Sequence, residues 1–167
     1  MRVQLLRLPP TSRLFLRYHE MTRMVARGFL HLGLEKMDSV NIFGFNSPEW
    51  IIAELGAITA GGMAAGIYPT DTPEQVRFKA LHSHCSIAVV DNDKKMEIFL
   101  DLKKKNKLPH LKAIVNWGSD IQTKTTAGVT ICSWASLLGM GKNVSERILD
   151  KIVGQLNPGA PCALIYT

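Results

Sequence analysis

Apolar residues are most concentrated between positions 40 and 72, where three predicted elements follow one another. Residues 40–45 are rich in β-branched and aromatic side chains, a pattern typical of a strand that is buried on both faces. Residues 50–60 contain only two polar side chains, which predicts a helix that is covered almost all round. Residues 63–68 form a second short apolar run. We therefore predict a βαβ unit, in which a helix connects two parallel strands.

The residues between these runs favour the same unit. Asn46 or Ser47 can accept a hydrogen bond from the first free N–H groups of the helix, and Pro48 suits its first turn. Gly61 and Gly62 can adopt the positive φ that commonly ends a helix. Each boundary of the predicted unit therefore has its own local signal.

Strands and helices continue to alternate through the rest of the chain. Helices are predicted over residues 18–34, 73–82, 94–105, 133–140 and 143–156, and further strands over residues 87–90, 111–115 and 162–166. Thr72 with Gln75, and Asn143 with Glu146, match the capping-box pattern at helix starts. The polar residues 118–128 are predicted to be a loop. The expected fold class is α/β, a partial doubly wound and mostly parallel sheet with flanking helices.

Composition places the chain among globular proteins. It has 167 residues, of which 46% are hydrophobic and 20% charged, so we expect one domain or a piece of a larger one. No apolar run reaches the eighteen or so residues that a membrane-spanning helix needs. Cys85, Cys132 and Cys162 are odd in number and far apart. This spacing argues against a disulfide framework and favours a reducing compartment, with all three as small buried side chains.

The net charge of +6 is concentrated near the amino terminus. The first 17 residues hold four arginines and no acid, which leaves 16 basic and 14 acidic residues, or +2, for the remainder. We interpret residues 1–17 as a flexible basic arm and residues 18–167 as an incomplete α/β domain. The arm could be a transit sequence or touch anionic lipid, and an untethered tail is the simpler alternative. Nucleic-acid binding is disfavoured because no basic face is interleaved with aromatic residues.

Two groups of residues invite a functional interpretation that the pattern does not require. His82, His84 and Cys85 carry side chains that bind zinc, but no fourth ligand is evident, so a structural role is favoured. The loop over residues 68–72 follows a parallel strand at the edge where such sheets bind ligands. A rigid, well-capped connection is the favoured interpretation of that loop.

No short nucleotide-binding or nucleophile motif is complete. Residues 139–142 read GMGK, but Ser136 and Asn143 stand where a P-loop needs glycine and a hydroxyl residue. The glycines between positions 61 and 66 do not open a helix after a strand, and the GxSxG pattern is absent. The last predicted strand, which we expect to be buried, is followed only by Thr167, where a ligand-binding loop would begin.

Several motifs in order resemble one known family. These are ARGFLHLGLEK, GFNSPEW, AITAGG, AAGIYPT, VVDNDKK, KLPHLKAIV and CALIYT, spread over residues 18–167. Together they resemble the N-terminal domain of adenylate-forming, acyl-activating enzymes, and most closely the long-chain acyl-CoA synthetases of the bubblegum type. Each motif alone is weak, and their common order makes the resemblance specific.

The resemblance implies a function for the longer protein. Such enzymes use ATP and Mg²⁺ to convert a long-chain fatty acid to an acyl-adenylate, and then transfer the acyl group to coenzyme A. Their phosphate loop begins after a strand that resembles residues 164–166, so Thr167 would be its first residue and the ATP-contacting residue of this chain. No catalytic or metal-binding residue is assigned. From the cysteine spacing we expect a cytoplasmic protein, and the basic arm offers a possible peripheral contact with membranes.

We expect this chain to be an N-terminal fragment or a truncated isoform without ligase activity of its own. Two alternatives stay open. As a non-catalytic interaction module, it would pair with a full-length synthetase through its last strand. As a small nucleotide-binding domain, it would bind ATP unaided.

Overall fold

A computed structural model describes residues 10–167, with side chains from residue 14 onward. The helices are α1 (Pro10–His31), α2 (Pro48–Thr59), α3 (Pro73–His82), α4 (Asp93–Lys104), α5 (Trp134–Lys142) and α6 (Glu146–Val153). The strands are β1 (Ser39–Phe43), β2 (Met63–Ile67), β3 (Cys85–Val90), β4 (Ala113–Asn116), β5 (Lys124–Thr126), β6 (Val129–Ser133) and β7 (Ala163–Leu164). They form one sheet in the order β5-β6-β4-β3-β1-β2-β7. Every pair is parallel except β5–β6.

The predicted βαβ unit is confirmed. β1 pairs with β2 in parallel over five residues, and α2 connects them. The hydroxyl of Ser47 accepts a hydrogen bond from the N–H of Trp50 at 3.2 Å, so Ser47 is the N-cap. Gly61 ends the connection with φ +85°, a conformation that favours glycine.

Two hydrophobic cores cover the two faces of the sheet. The first lies against α1, α2, α5 and α6 and includes Phe29, Val89 and Leu149. The second lies against α3 and α4 and includes Phe99 and Ile114. The side chains of successive strand residues alternate between these cores, as a sheet covered on both faces requires. The predicted α/β class, with a mostly parallel sheet and flanking helices, is therefore confirmed.

The prediction that residues 118–128 form only a loop is wrong. β5 lies within that range and pairs antiparallel with β6, a strand that the sequence did not predict. The two strands turn at Ala127 and Gly128, which have φ of +52° and +75°. An Ala-Gly pair is a weaker hairpin signal than Asn-Gly or Asp-Gly, and β5 consists of Lys and Thr residues that are mostly exposed.

Two predicted helix starts also need correction. α1 begins at Pro10 rather than at residue 18, because proline is tolerated in the first turn of a helix. Residues 1–9 of the predicted basic arm lie outside the described residues. α6 is capped by Ser145, whereas Asn143 forms the C-cap of α5. The predicted Thr72–Gln75 capping box at α3 is confirmed.

The last strand differs from the buried strand that the sequence predicts. β7 has only two residues, both partly exposed, and it lies at the edge of the sheet beside β2. Cys162 just before it is exposed, which corrects the prediction of three buried cysteines, whereas Cys85 and Cys132 are buried. None of the helices within residues 10–167 combines the length and the hydrophobicity that spanning a bilayer requires.

Candidate ligand cleft

A cleft of about 740 Å³ opens where β1, β2 and β7 reach their carboxyl ends. Its lining includes Phe45, Trp50, Tyr68, Pro69 and Ile165. The carboxyl edge of a parallel sheet is where open α/β folds place their ligands. The cleft is therefore the candidate functional site of this chain.

The walls of the cleft expose large apolar and aromatic side chains to solvent. Phe45 is 69% exposed, Tyr68 58% and Ile165 86%. Glu54 is the one carboxylate among the described lining residues, and no lysine, arginine or histidine is found among them. Such a surface suits an apolar or aromatic ligand group, or another polypeptide segment, better than a polyphosphate.

One wall is held in place by Asp71 and Lys79. Asp71 accepts a hydrogen bond from the N–H of Tyr68 at 3.1 Å and forms an ion pair with Lys79. The Lys79 ammonium lies 4.8 Å from the centroid of the Tyr68 ring and 5.6 Å from that of Tyr166. These contacts fix the loop after β2 against α3, since the ion pair and the ring contacts act on the same ammonium.

Asp91 and Lys95 repeat this arrangement at the end of β3. Asp91 accepts a hydrogen bond from the N–H of Phe45 at 3.1 Å and pairs with Lys95 at 2.8 Å. The Lys95 ammonium lies 4.8 Å from the Phe43 ring centroid and 5.1 Å from that of Phe45. The loops after β1 and β2 are thus each anchored by an aspartate that a helical lysine neutralises.

Gly44 allows the loop after β1 to lie close to its neighbours. A Cβ atom at this position would lie 2.5 Å from the Trp117 ring and 2.9 Å from Cβ of Asp91. Both distances are shorter than side chains tolerate, so the close approach of Trp117 and Asp91 requires glycine here. The main chain at the mouth of the cleft is therefore packed directly against Trp117 and Asp91.

Tyr166 connects the end of β7 to α3. Its hydroxyl donates a hydrogen bond to the carbonyl of Lys79 at 3.2 Å and lies 3.0 Å from Nδ1 of His82. Burial raises the pKa of Tyr166 above its usual value. Thr167, the residue assigned by resemblance to the phosphate loop, is exposed and follows directly after this anchor.

The histidines and cysteine considered as metal ligands have separate partners. His82 contacts Tyr166, and the ring of His84 stacks on His110 with centroids 4.7 Å apart. Cys85 is buried and its thiol donates to the carbonyl of Ile87 at 3.4 Å. Within residues 14–167, no group of three potential ligands is placed to hold a metal ion. The GMGK sequence lies within α5, away from the carboxyl edge of the sheet.

Sequence reasoning missed the paired anchors of the cleft. The signal was present, because Asp91 follows β3 directly and Lys95 comes four residues later in the first turn of α4. Asp71 and Lys79 are eight residues apart, and a lysine at that distance has no fixed relation to a loop. The pairing of Asp71 with Lys79 is therefore recognised only from the three-dimensional structure.

A parallel sheet with a ligand cleft at its carboxyl edge is typical of α/β binding domains. Comparison with known proteins shows to which family of such domains this chain belongs. The chain belongs to the AMP-binding enzyme family, whose pattern matches residues 15–167.

Within that family, the chain is similar to bubblegum-type long-chain-fatty-acid–CoA ligases. ACSBG2 of Xenopus laevis is 39% identical over 150 residues, which are 90% of this chain and 20% of that protein. ACSBG1 of Rattus norvegicus is 39% identical over 153 residues, or 92% of this chain and 20% of that protein. The chain therefore spans about a fifth of the length of these curated relatives.

Solved structures support the fold. The A-PCP didomain of carboxylic acid reductase from Segniliparus rugosus, in complex with AMP, superposes with a TM-score of 0.63 at 8% identity. That match covers 77% of this chain and 20% of the other. A long-chain-fatty-acid-CoA ligase from Archaeoglobus fulgidus gives a TM-score of 0.60 at 17% identity, over 79% of this chain and 23% of the other.

Proposed function

We propose that this chain is the N-terminal part of a long-chain fatty acid–CoA ligase, which forms an acyl-adenylate from ATP and then an acyl-CoA. The observation that carries the proposal is the 39% identity to such ligases over 150 residues. The cleft at the carboxyl ends of β1, β2 and β7 adds support, since its lining includes Tyr166, the residue before Thr167. Thr167 is then the first residue of the ATP-binding phosphate loop, and the protein acts in the cytoplasm.

The described residues do not fit ATP and Mg²⁺ by themselves. A triphosphate needs cationic side chains or several aligned N–H groups, and magnesium needs carboxylate or phosphate oxygens. The cleft lining offers one carboxylate, Glu54, and no cation among the described residues. Lys79 and Lys95, which anchor the loops after β2 and β1, are already paired with aspartates. We therefore infer that this chain on its own has no ligase activity and contributes a scaffold and a cleft wall.

Two experiments test the two halves of this proposal. In the first, residues 18–167 replace the corresponding segment of the Xenopus laevis ligase, and palmitate-dependent formation of AMP is measured. We expect the chimera to retain activity, and a folded but inactive chimera would contradict the family role.

In the second experiment, the purified chain is assayed for fatty-acid-dependent exchange of pyrophosphate into ATP. Clear exchange would contradict the inference that the chain alone is inactive.

A second candidate function is a non-catalytic interaction module that pairs with a full-length synthetase. The observation in its favour is the free edge of β7, which hydrogen-bonds to β2 on one side only among the described strands, next to the 86% exposed Ile165. An edge strand can accept another strand through its unpaired main chain. Sedimentation of the chain with the Xenopus laevis ligase would reveal a complex. A mixture that sediments as its two separate components would exclude this module.

A further inference from the structure

The outward face of α3 exposes large apolar side chains to solvent. Phe78 is 57% exposed and Leu81 41%. Because they lie three positions apart on a helix, they project from the same side. α3 buries only Val76 and Ala80 against the sheet. Its outer surface is thus apolar at its centre without being part of either core.

A basic cleft lies beside this apolar surface. The end of α4 and the start of α3 enclose about 440 Å³, lined by Pro73, Glu74, Arg77, Leu102, Lys105 and Lys107. Arg77 is one helical turn before Leu81, so the cleft and the apolar surface adjoin. We call them together the α3–α4 face.

The α3–α4 face keeps two lysines unpaired. Arg77 donates to Glu74 at 2.9 Å, and Lys104 lies 3.8 Å from Asp101. In the part of the chain whose side chains are described, no carboxylate oxygen lies within 4.0 Å of the ammonium group of either Lys105 or Lys107, and both residues are exposed. Of the six residues that line the cleft, three are cationic and one is acidic, which leaves a net charge of +2. The free positive charge is therefore concentrated next to the exposed apolar residues.

We propose that the α3–α4 face docks on the surface of an anionic lipid bilayer. Phe78 and Leu81 enter the boundary between headgroups and acyl chains, while Lys105 and Lys107 contact lipid phosphates. Membrane binding of a soluble domain commonly needs two such signals, an apolar insertion and a basic patch. A small anion would engage the lysines and leave both apolar side chains in water, so a lipid surface accounts for more of the face. The proposal does not depend on the ligase function.

Sedimentation with vesicles tests the proposal on the full chain. The vesicles are phosphatidylcholine alone, or phosphatidylcholine with 30% phosphatidylserine in about 0.1 M salt, where surface charges still interact. We expect the chain to sediment only with the anionic vesicles. Replacing both lysines, K105E with K107E, should weaken this partitioning at least about tenfold. The single substitution Phe78→Ser should weaken it by a similar factor, since it removes the apolar signal.

A matched control separates this face from net charge. Lys142 and Lys151 are exposed on α5 and α6, on the opposite side of the sheet, and K142E with K151E changes the net charge equally. We expect the control to bind vesicles nearly as the original chain does. Equal loss in both double variants, or no effect of K105E with K107E, would overturn the proposal. Failure of the original chain to bind anionic vesicles would also overturn it and leave an acidic protein as the partner of the face.

Discussion

β1 and β7 belong to one sheet, yet they differ in nearly every physical respect. All five residues of β1 are buried, and it hydrogen-bonds to a strand on each side. β7 has two partly exposed residues and a single partner, and Ile165 after it is 86% exposed. Stability is expected to come from the centre of the sheet, because buried apolar area is greatest there. Ligand contacts are expected at the edge, where side chains remain free to engage a partner.

The largest effect should follow from a cavity behind β1. Phe99 is fully buried in α4, and its ring lies edge-on to that of Phe43 with centroids 6.4 Å apart. We expect Phe99→Ala to reduce the free energy of unfolding by about 3 to 5 kcal/mol, because it removes a ring and leaves a void. Urea denaturation followed by circular dichroism measures the change.

The matching substitution at the edge is Ile165→Ala. We expect a change within about 0.5 kcal/mol, because that side chain is almost fully exposed. If the two substitutions reduced the free energy of unfolding by similar amounts, stability would be shared evenly between the centre and the edge of the sheet.

The second largest loss of stability is expected at the aspartate–lysine pairs that anchor the loops after β1 and β2. Lys95 is 7% exposed, and its charge is compensated by Asp91 at 2.8 Å. We expect Asp91→Asn to cost about 2 kcal/mol, since it leaves a largely buried ammonium without its partner and weakens the hold on Phe45. Denaturant unfolding at constant pH checks the value.

The exposed pair of Asp101 and Lys104 provides the control for this effect. The side chains are about half exposed and their charged atoms lie 3.8 Å apart. Asp101→Asn should change stability by less than about 0.5 kcal/mol. Equal losses in the free energy of unfolding for Asp91→Asn and Asp101→Asn would show that Asp91 does not anchor the loop after β1.

How far the sequence predicted this structure depends on the type of signal. The βαβ unit and the Thr72 capping box were found because they are local, with Ser47, Pro48 and Gln75 each acting within one helical turn. The β5–β6 hairpin was missed because Ala127 and Gly128 form its turn without the usual Asn or Asp. Ser145 rather than Asn143 caps α6, a choice between two suitable residues that depends on where α5 ends.

The candidate cleft was located only in part from sequence. Its position at the carboxyl edge follows from the parallel sheet and from Thr167 after the last strand. The contacts of Tyr166 with Lys79 and His82 join residues more than eighty positions apart, which no local pattern specifies. The exposure of β7 likewise depends on strand order, since an apolar run has the same composition at the centre of a sheet and at its edge.

A smaller effect is expected from Tyr166→Phe, which tests the anchor at the edge. The substitution removes the hydrogen bond to the Lys79 carbonyl while keeping the ring, and should cost about 1 kcal/mol or less. Faster amide exchange confined to residues 162–167 would show the loosened segment. Unchanged exchange there would mean that β7 is held by its contacts with β2 alone.

The cost of Tyr166→Phe should also depend on pH. The pKa of Tyr166 is raised in the folded chain, so the folded state holds this proton more tightly than the unfolded state does. Its stabilisation is complete below the ordinary tyrosine pKa of 10.0 and is lost as the pH rises through the folded value. The stability difference between the original chain and the variant should therefore shrink above about pH 10. A difference that grows with pH would contradict this sign.

The smallest perturbation, labelling of thiols, compares centre and edge without any substitution. Burial raises the pKa of Cys85, and raises that of Cys132 to about 12, so both remain protonated thiols at pH 8. Cys162 is exposed just before β7. Mass spectrometry after brief treatment with iodoacetamide should show one adduct, at Cys162, and three only after unfolding in urea. Rapid native labelling of Cys132 would mean that β6 opens as readily as the edge, and the contrast between the two regions would then fail.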